Sequence, residues 1–353
     1  MAIANQADKS ALYTYYSEAE DEFEQIIKKP DLDSAIKLSP DLMTNFEDAL
    51  SFALVDIYRN NNECDRAHLF LQRVLYRINR LKLFWFDNLD NYTNEDSSAL
   101  FSIRKKIETK WMEWELNHIE TNLIDSLIYE KALNIRFKED LNPLPNNDSF
   151  FLRDKISLAG YKRLLAITSL DGLVEASQLS RVLGGVSNEV QLMLTKIFWE
   201  EYGCGKLTRK HSSHFINMLE ECELETAPEA YLKLVPWEVL ANINHSFLLS
   251  ERKQNYLRYI GGLLYIETSA PSSFQNYQRA GKRLGLSEAG TGYWDIHIKE
   301  DIRHGEWMLH EVAFPLARKY SDQAWQVVLG YDQQKFISTR ATKSIVNSIR
   351  ELY

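Results

Sequence analysis

The chain has 353 residues, 45% of them hydrophobic and 26% charged, and a formal net charge of −9; it exceeds one minimal domain and has the profile of a globular protein. The acidic balance and the lack of any Lys/Arg cluster exclude nucleic acid as the main partner, because phosphate binding needs a basic footprint. No apolar run reaches membrane-spanning length, MAIANQADKS lacks the regions of a signal peptide, and Cys64, Cys204 and Cys222 form no CxxC pair. No membrane partner and a reducing, cytoplasmic location are therefore expected.

Only 14 Gly and 8 Pro punctuate the chain. Apolar residues recur at three and four with few alternating runs, so the fold class is all-α. A first helix over 11–28 stops at Pro30, where the ring cannot continue it. A second, over 41–58, breaks in the run from Asn60 to Asn62. The next starts near Asp65 as N-cap and carries the stripe Ala67, Leu71, Val74, Leu75, Ile78, Leu81 and Trp85. A long helical stretch over 97–137 follows, and its Trp111 and Trp114 suit packing on another helix or a second copy of the chain. The Pro- and Asn-rich segment LNPLPNNDS then breaks the periodicity. It separates an N-terminal helical module, residues 1–147, from a second domain, residues 148–353, read as a bundle of about seven helices. Helices are expected there at about 151–168, 173–183, 188–202, 210–222, 236–244, 251–268, 272–284, 292–320 and 323–352, the last with breaks.

The stretch YWDIHIKEDIRH, Tyr293 to His304, holds His297, Asp301 and His304. Steps of four and three place them at about 0°, 40° and −20° on one helix face. Tyr293, Trp294 and Met308 share that face, so the three polar groups point inward. A lone inward imidazole is usually a satisfied core residue; two with a carboxylate read as metal ligands.

Carboxylates interrupt apolar stripes elsewhere. Glu201 ends the stripe Val190, Met193, Leu194, Ile197, Phe198, whereas its neighbour Glu200 follows Lys196 and is expected toward solvent. Glu267 ends Leu257, Ile260, Leu263, Leu264, and Glu175 shares a face with Leu179, Val182 and Leu183. Each alone reads equally well as an ion pair with a Lys or Arg. Together Glu175, Glu201, Glu267 and Asp301 sum to −4, which balances two divalent cations, and buried carboxylates demand such compensation. His211 lies ten residues after Glu201, about 15 Å along a straight helix, but Gly203 and Gly205 permit a return. His214 is its rival, and His310, about 120° from His304, is read as structural.

The ordered set Glu175 in LVEAS, Glu201 and His211 in EEYGCGKLTRKH, Glu267 in YIETSAP, and HIKEDIRH resembles the haem-oxygenase-like diiron oxidases and oxygenases over about residues 150–320. The N-terminal module resembles the dimer-forming accessory helices of their N-oxygenase branch. Unlike branch members with a C-terminal cupin, this chain ends without one, and no second activity of that type is expected. The resemblance implies a haem-oxygenase-like helical bundle, two iron ions and O2 as co-substrate. It also implies a small amine or amino acid as substrate, undergoing N-oxygenation or C–H abstraction that leads to desaturation, cyclisation or cleavage in specialised metabolism. An electron donor from outside the chain, or the substrate itself, and a homodimer complete the expectation. Carried over residue by residue, Glu175, His211 and His304 would hold one iron and His297 and Asp301 the other, with Glu201 bridging and Glu267 available to the second. Mixed imidazole and carboxylate ligands suit Fe(II), Mn and Zn alike; the resemblance selects iron.

Two other readings stand beside it. A ferritin-type iron centre would use Glu115 with His118 and, more loosely, Asp65 with His68. A helical haem-binding or interaction protein without catalysis would use the 8 Trp and 18 Tyr, although large aromatics are more often core. GLSEAGTG, Gly285 to Gly292, lacks the Lys-Ser/Thr of a P-loop and reads as the turn into the metal helix, with Thr291 as N-cap. No Gly-x-Ser-x-Gly supports a hydrolase elbow.

Overall fold

A computed structural model describes residues 2–59, 64–83, 88–121, 124, 128–184 and 189–353, and every regular element among them is helical. Trp85, Asn188 and the break from Asn60 to Asn62 lie outside the described residues. The chain divides into two compact units, Met1–His118 and Ile119–Tyr353.

The first unit contains α1 (Ala2–Ile27), α2 (Leu32–Leu38), α3 (Thr44–Tyr58), α4 (Asp65–Arg80) and α5 (Ser98–Leu116). Its core stacks Phe23 on Phe46 at 4.5 Å between ring centroids, with Phe70 a further 6.0 Å from Phe46. Asp33 accepts hydrogen bonds from Ser97 Oγ at 2.6 Å and from the amides of Ser98 and Ala99, tying α2 to the start of α5. Asp65 is the first residue of α4 and Cys64 its N-cap, one place earlier than the sequence suggests.

The helix expected over 97–137 is two helices. α5 closes at Asn117, and α6 (Tyr129–Leu141) packs in the second unit. There Arg136 forms a bidentate pair with Asp332 at 2.7 and 2.8 Å, and Tyr331 donates to Asp140 at 2.9 Å. The compact units thus meet between His118 and Ile119, and α6 belongs to the second. A helix that pairs with residues 196 and 191 positions downstream gives no local sign of it.

The second unit continues with α7 (Leu158–Gly172), α8 (Glu189–Glu201), α9 (His211–Glu221), α10 (Trp237–Ser250), α11 (Tyr256–Arg283), α12 (Gly292–Trp307), α13 (Phe314–Lys319) and α14 (Trp325–Arg350). α11 is its axis and packs along both α12 and α14, while α10 lies on α14. The α11–α14 approach is backbone on backbone. A Cβ at Gly261 would lie 1.9 Å from the Val327 carbonyl oxygen, and one at Gly330 would lie 2.0 Å from that of Arg258.

α11 runs unbroken through the buried Pro271, where the sequence suggests two helices. Proline removes the N–H that would bond the carbonyl of Glu267, normally a cost of about 3 kcal/mol. Packing along the whole length of α11 outweighs that local signal, and the Glu267 carbonyl lies beside Gly305 of α12. A π-helical segment, Met308–Ala313, joins α12 to α13, which has Pro315 in its first turn. None of the helices searched is long and apolar enough to cross a membrane.

Candidate metal centre

α12 buries His297, Asp301 and His304 at 3%, 3% and 0% exposure, as their spacing requires. Thr291 precedes this helix as N-cap by position, but its hydroxyl donates to Asp295 at 3.0 Å and does not cap an amide. Glu201 is the last residue of α8. After it the chain reverses through three successive left-handed residues, Gly203, Cys204 and Gly205. A Cβ at Gly203 would meet the Lys210 amide nitrogen at 2.4 Å, so the reversal needs glycine there. α9 then opens on His211, whose Nδ1 lies 2.8 Å from Glu201 Oε2.

Glu175 follows the end of α7. Its Oε1 lies 2.9 Å from His297 Nε2 and accepts from the Tyr293 hydroxyl at 2.7 Å. His211 Nδ1 is 3.1 Å from His297 Nε2. One group thus gathers Glu175, Glu201, His211 and His297, with one ligand atom from each lying within 4.8 Å of the rest. A second gathers Glu201, Glu267 and His304: His304 Nδ1 stands 3.4 Å from both Glu201 Oε1 and Glu267 Oε2, and 3.8 Å from Asp301 Oδ1.

All seven expected residues therefore line one buried region, but they divide differently from the carried-over assignment. His297 stands with Glu175 and His211, and His304 with Glu267 and Asp301. Seven residues of helix separate the two imidazoles by about 10 Å of rise. Each consequently meets a different neighbour, His211 at the start of α9 in one case and Glu267 of α11 in the other.

The remaining nitrogen of each imidazole is also engaged. His297 Nδ1 donates to the Tyr293 carbonyl at 2.7 Å, His211 Nε2 lies 3.2 Å from Glu300 Oε2, and His304 Nε2 lies 2.9 Å from Glu200 Oε2. Glu200, expected toward solvent, instead lies partly buried against α12, where Arg303 donates to it at 2.6 Å. Glu200, Glu300 and His304 make a third potential ligand group. Neither glutamate was singled out from sequence; the available signal was that Glu300 precedes His304 by one helical turn. His214 stays outside the groups with its Nδ1 facing Gly292, and His310 is exposed and pairs with Glu306 at 3.2 Å. In the first unit, Glu115 accepts from Trp111 Nε1 at 2.7 Å and His118 bonds the Trp114 carbonyl at 2.8 Å. Among the described residues these form no group of metal-competent side chains, nor do Asp65 and His68.

Burial and crowded like charge dominate the electrostatics of the region. Burial, reinforced by the charges of Glu267, Glu201 and Glu175, pushes the Asp301 carboxyl well above its ordinary value. Burial also raises Glu201. Burial acts the same way on Glu175, but the His297 imidazole beside it brings the net shift below the usual value. Burial opposes protonation of His211 and His304, yet Glu201 and Glu267 override it and raise them to about 11 and about 9. Glu175 Oε2, Asp301 Oδ1 and His304 Nδ1 are buried without a hydrogen-bond partner. Orphaned donor atoms among crowded carboxylates fit bound cations, and an all-nitrogen-and-oxygen donor set fits ferrous iron. A cavity of ≈ 150 Å³ opens beside them, walled by Leu263, Phe274 and Tyr293 among others.

Residues 162–333 match the model of a family described as iron-containing redox enzyme. The matched segment holds Glu175, Glu201, His211, Glu267, His297, Asp301 and His304, the residues of the clusters described above. Among curated proteins, nitrosourea synthase of Streptomyces achromogenes subsp. streptozoticus is 28% identical over 152 residues, covering 43% of this chain and 32% of that protein. The chain thus matches about a third of the length of this relative.

Proposed function

We propose that the chain is an O2-dependent non-haem diiron oxidase or oxygenase acting on a small amine or amino acid in specialised metabolism, by N-oxygenation or by C–H abstraction. In this reading Glu175, His211 and His297 would hold one iron and Glu267, Asp301 and His304 the other, with Glu201 placed to serve both. The observation that carries it is the position of Glu201: one carboxylate oxygen lies 2.8 Å from His211 and the other 3.4 Å from His304, so a single side chain belongs to both groups. The similarity to a nitrosourea synthase favours nitrogen as the atom oxidised.

When bound, two ferrous ions supply the electrons and the paired positive charge that O2 reduction requires. The protein's own contribution is to fix the donors and to enclose the reacting space. Leu263 and Phe274 give the cavity an apolar wall, which would help protect an oxidant from side reactions. Tyr293 donates to Glu175 and holds its carboxylate in place. Reducing equivalents would come from a donor outside the chain or from the substrate, and two copies of the chain would pair through the first unit.

Anaerobic loading with excess Fe(II) should give about two irons per chain, as a two-metal centre needs. Glu201→Gln should reduce this and abolish substrate-linked O2 consumption. Tight binding of less than one iron by the wild-type chain would rule out the diiron reading.

A further inference from the structure

Asp171, in the last turn of α7, lines the same cavity as Glu175, Glu201, Glu267, His297 and Asp301. It differs from them in three respects. Its side chain belongs to no ligand group, no described residue donates a hydrogen bond to it, and it is exposed where its neighbours are buried or half-buried. The surface it shows belongs to a pocket deep enough that burial, with the charge of Glu175, pushes its carboxyl up to about 6.

Charge counting sharpens the anomaly. Glu175, Glu201, Glu267 and Asp301 together match two divalent cations, so Asp171 is a fifth negative charge with nothing left to balance it. Among the described residues no Lys or Arg lines the cavity. Much of the remaining wall is apolar: Leu179, Ile243, Leu263, Ile266 and Phe274. A carboxylate facing a small, partly apolar pocket with no Lys or Arg among its lining residues is complementary to an organic cation and disfavours an anion.

We infer that Asp171 is the anchor for a protonated amine or guanidine group of the substrate, and that the pocket selects cationic amines over carboxylates. This rests on the diiron reading for the role of the bound molecule, though not for the binding itself. The cation would pair with Asp171 while the adjoining part of the molecule lies against the apolar wall and faces the metal ligands. An amino acid would enter by its cationic end, because no Lys or Arg among the lining residues offers its carboxylate a counter-charge.

The test uses the full chain, loaded anaerobically with Fe(II), and n-butylamine, n-butanol and butyrate as probes in calorimetry or ligand-observed NMR at neutral pH. Wild type should bind the amine in preference to the isosteric alcohol and exclude butyrate. Asp171→Asn should keep its iron content and circular dichroism but bind the amine roughly 10- to 100-fold more weakly, the usual worth of a charge-assisted hydrogen bond. Equal amine affinity in wild type and variant would overturn the inference, as would alcohol or butyrate binding as tight as amine. Should Asp171→Asn fail to fold, the three-probe comparison on wild type decides alone. Should the wild type take up no iron, the diiron reading fails, and the same probes on the metal-free chain judge Asp171 separately.

Discussion

Three imidazoles in the candidate centre each turn one nitrogen toward the carboxylates and give the other to an acceptor. For His297 that acceptor is a backbone carbonyl on its own helix; for His211 and His304 it is Glu300 and Glu200. Such partners fix the tautomer and orientation of a ligating imidazole, and their loss typically costs 10- to 100-fold in metal affinity. Glu200→Gln and Glu300→Gln should therefore weaken iron binding by about that factor while leaving the same stoichiometry at saturation, as read by anaerobic titration. Unchanged affinity in both would reduce these glutamates to surface ion pairs. Glu200 stands about 100° from Glu201 around α8, which places it toward water on an isolated helix. At a helix end beside α12, both neighbours reach the same partner.

At the scale of elements, the centre depends on how closely α11 can approach α14. Gly330→Ala would place a methyl group 2.0 Å from a backbone oxygen, and no side-chain rotation can relieve that clash. Destabilisation of at least about 1–3 kcal/mol is expected, the usual cost of overpacking, with iron binding weakened through displacement of Glu267. Thermal unfolding of the metal-free chain measures the first effect and iron titration the second; an unchanged melting temperature would mean that the helices separate freely. The amphipathic stripes made most helices legible. Pro271 misled because a proline's local penalty is visible in sequence, whereas the packing that outweighs it is not. The opposite error over 97–137 arose because helical periodicity continued across a segment that the tertiary structure divides.

For the whole molecule, folding concentrates charge that the metal-free chain balances with protons. His211 and His304, raised from 6.5 to about 11 and about 9, are protonated at neutral pH without metal. Their contribution to stability is complete below 6.5 and is lost as pH rises through those folded values. Iron requires both imidazoles neutral, so its binding should release protons and tighten as pH rises. Calorimetry in buffers of different ionisation enthalpy would register the release, and a pH-independent affinity would contradict it. Ferrous iron at 100 times its dissociation constant should stabilise the fold by about 2.7 kcal/mol, an increase that a chelator reverses.

The sequence by itself determined the helical class, the inward face of His297, Asp301 and His304, and the acidic interruptions at Glu175, Glu201 and Glu267. Helical period and the cost of burying charge are local properties that each segment carries alone. Only the tertiary structure decided which imidazole meets which carboxylate, where the two units part, and that Asp171 faces a cavity without a counter-charge. Those depend on helix crossings and on residues far apart in the chain, for which no single segment holds the information.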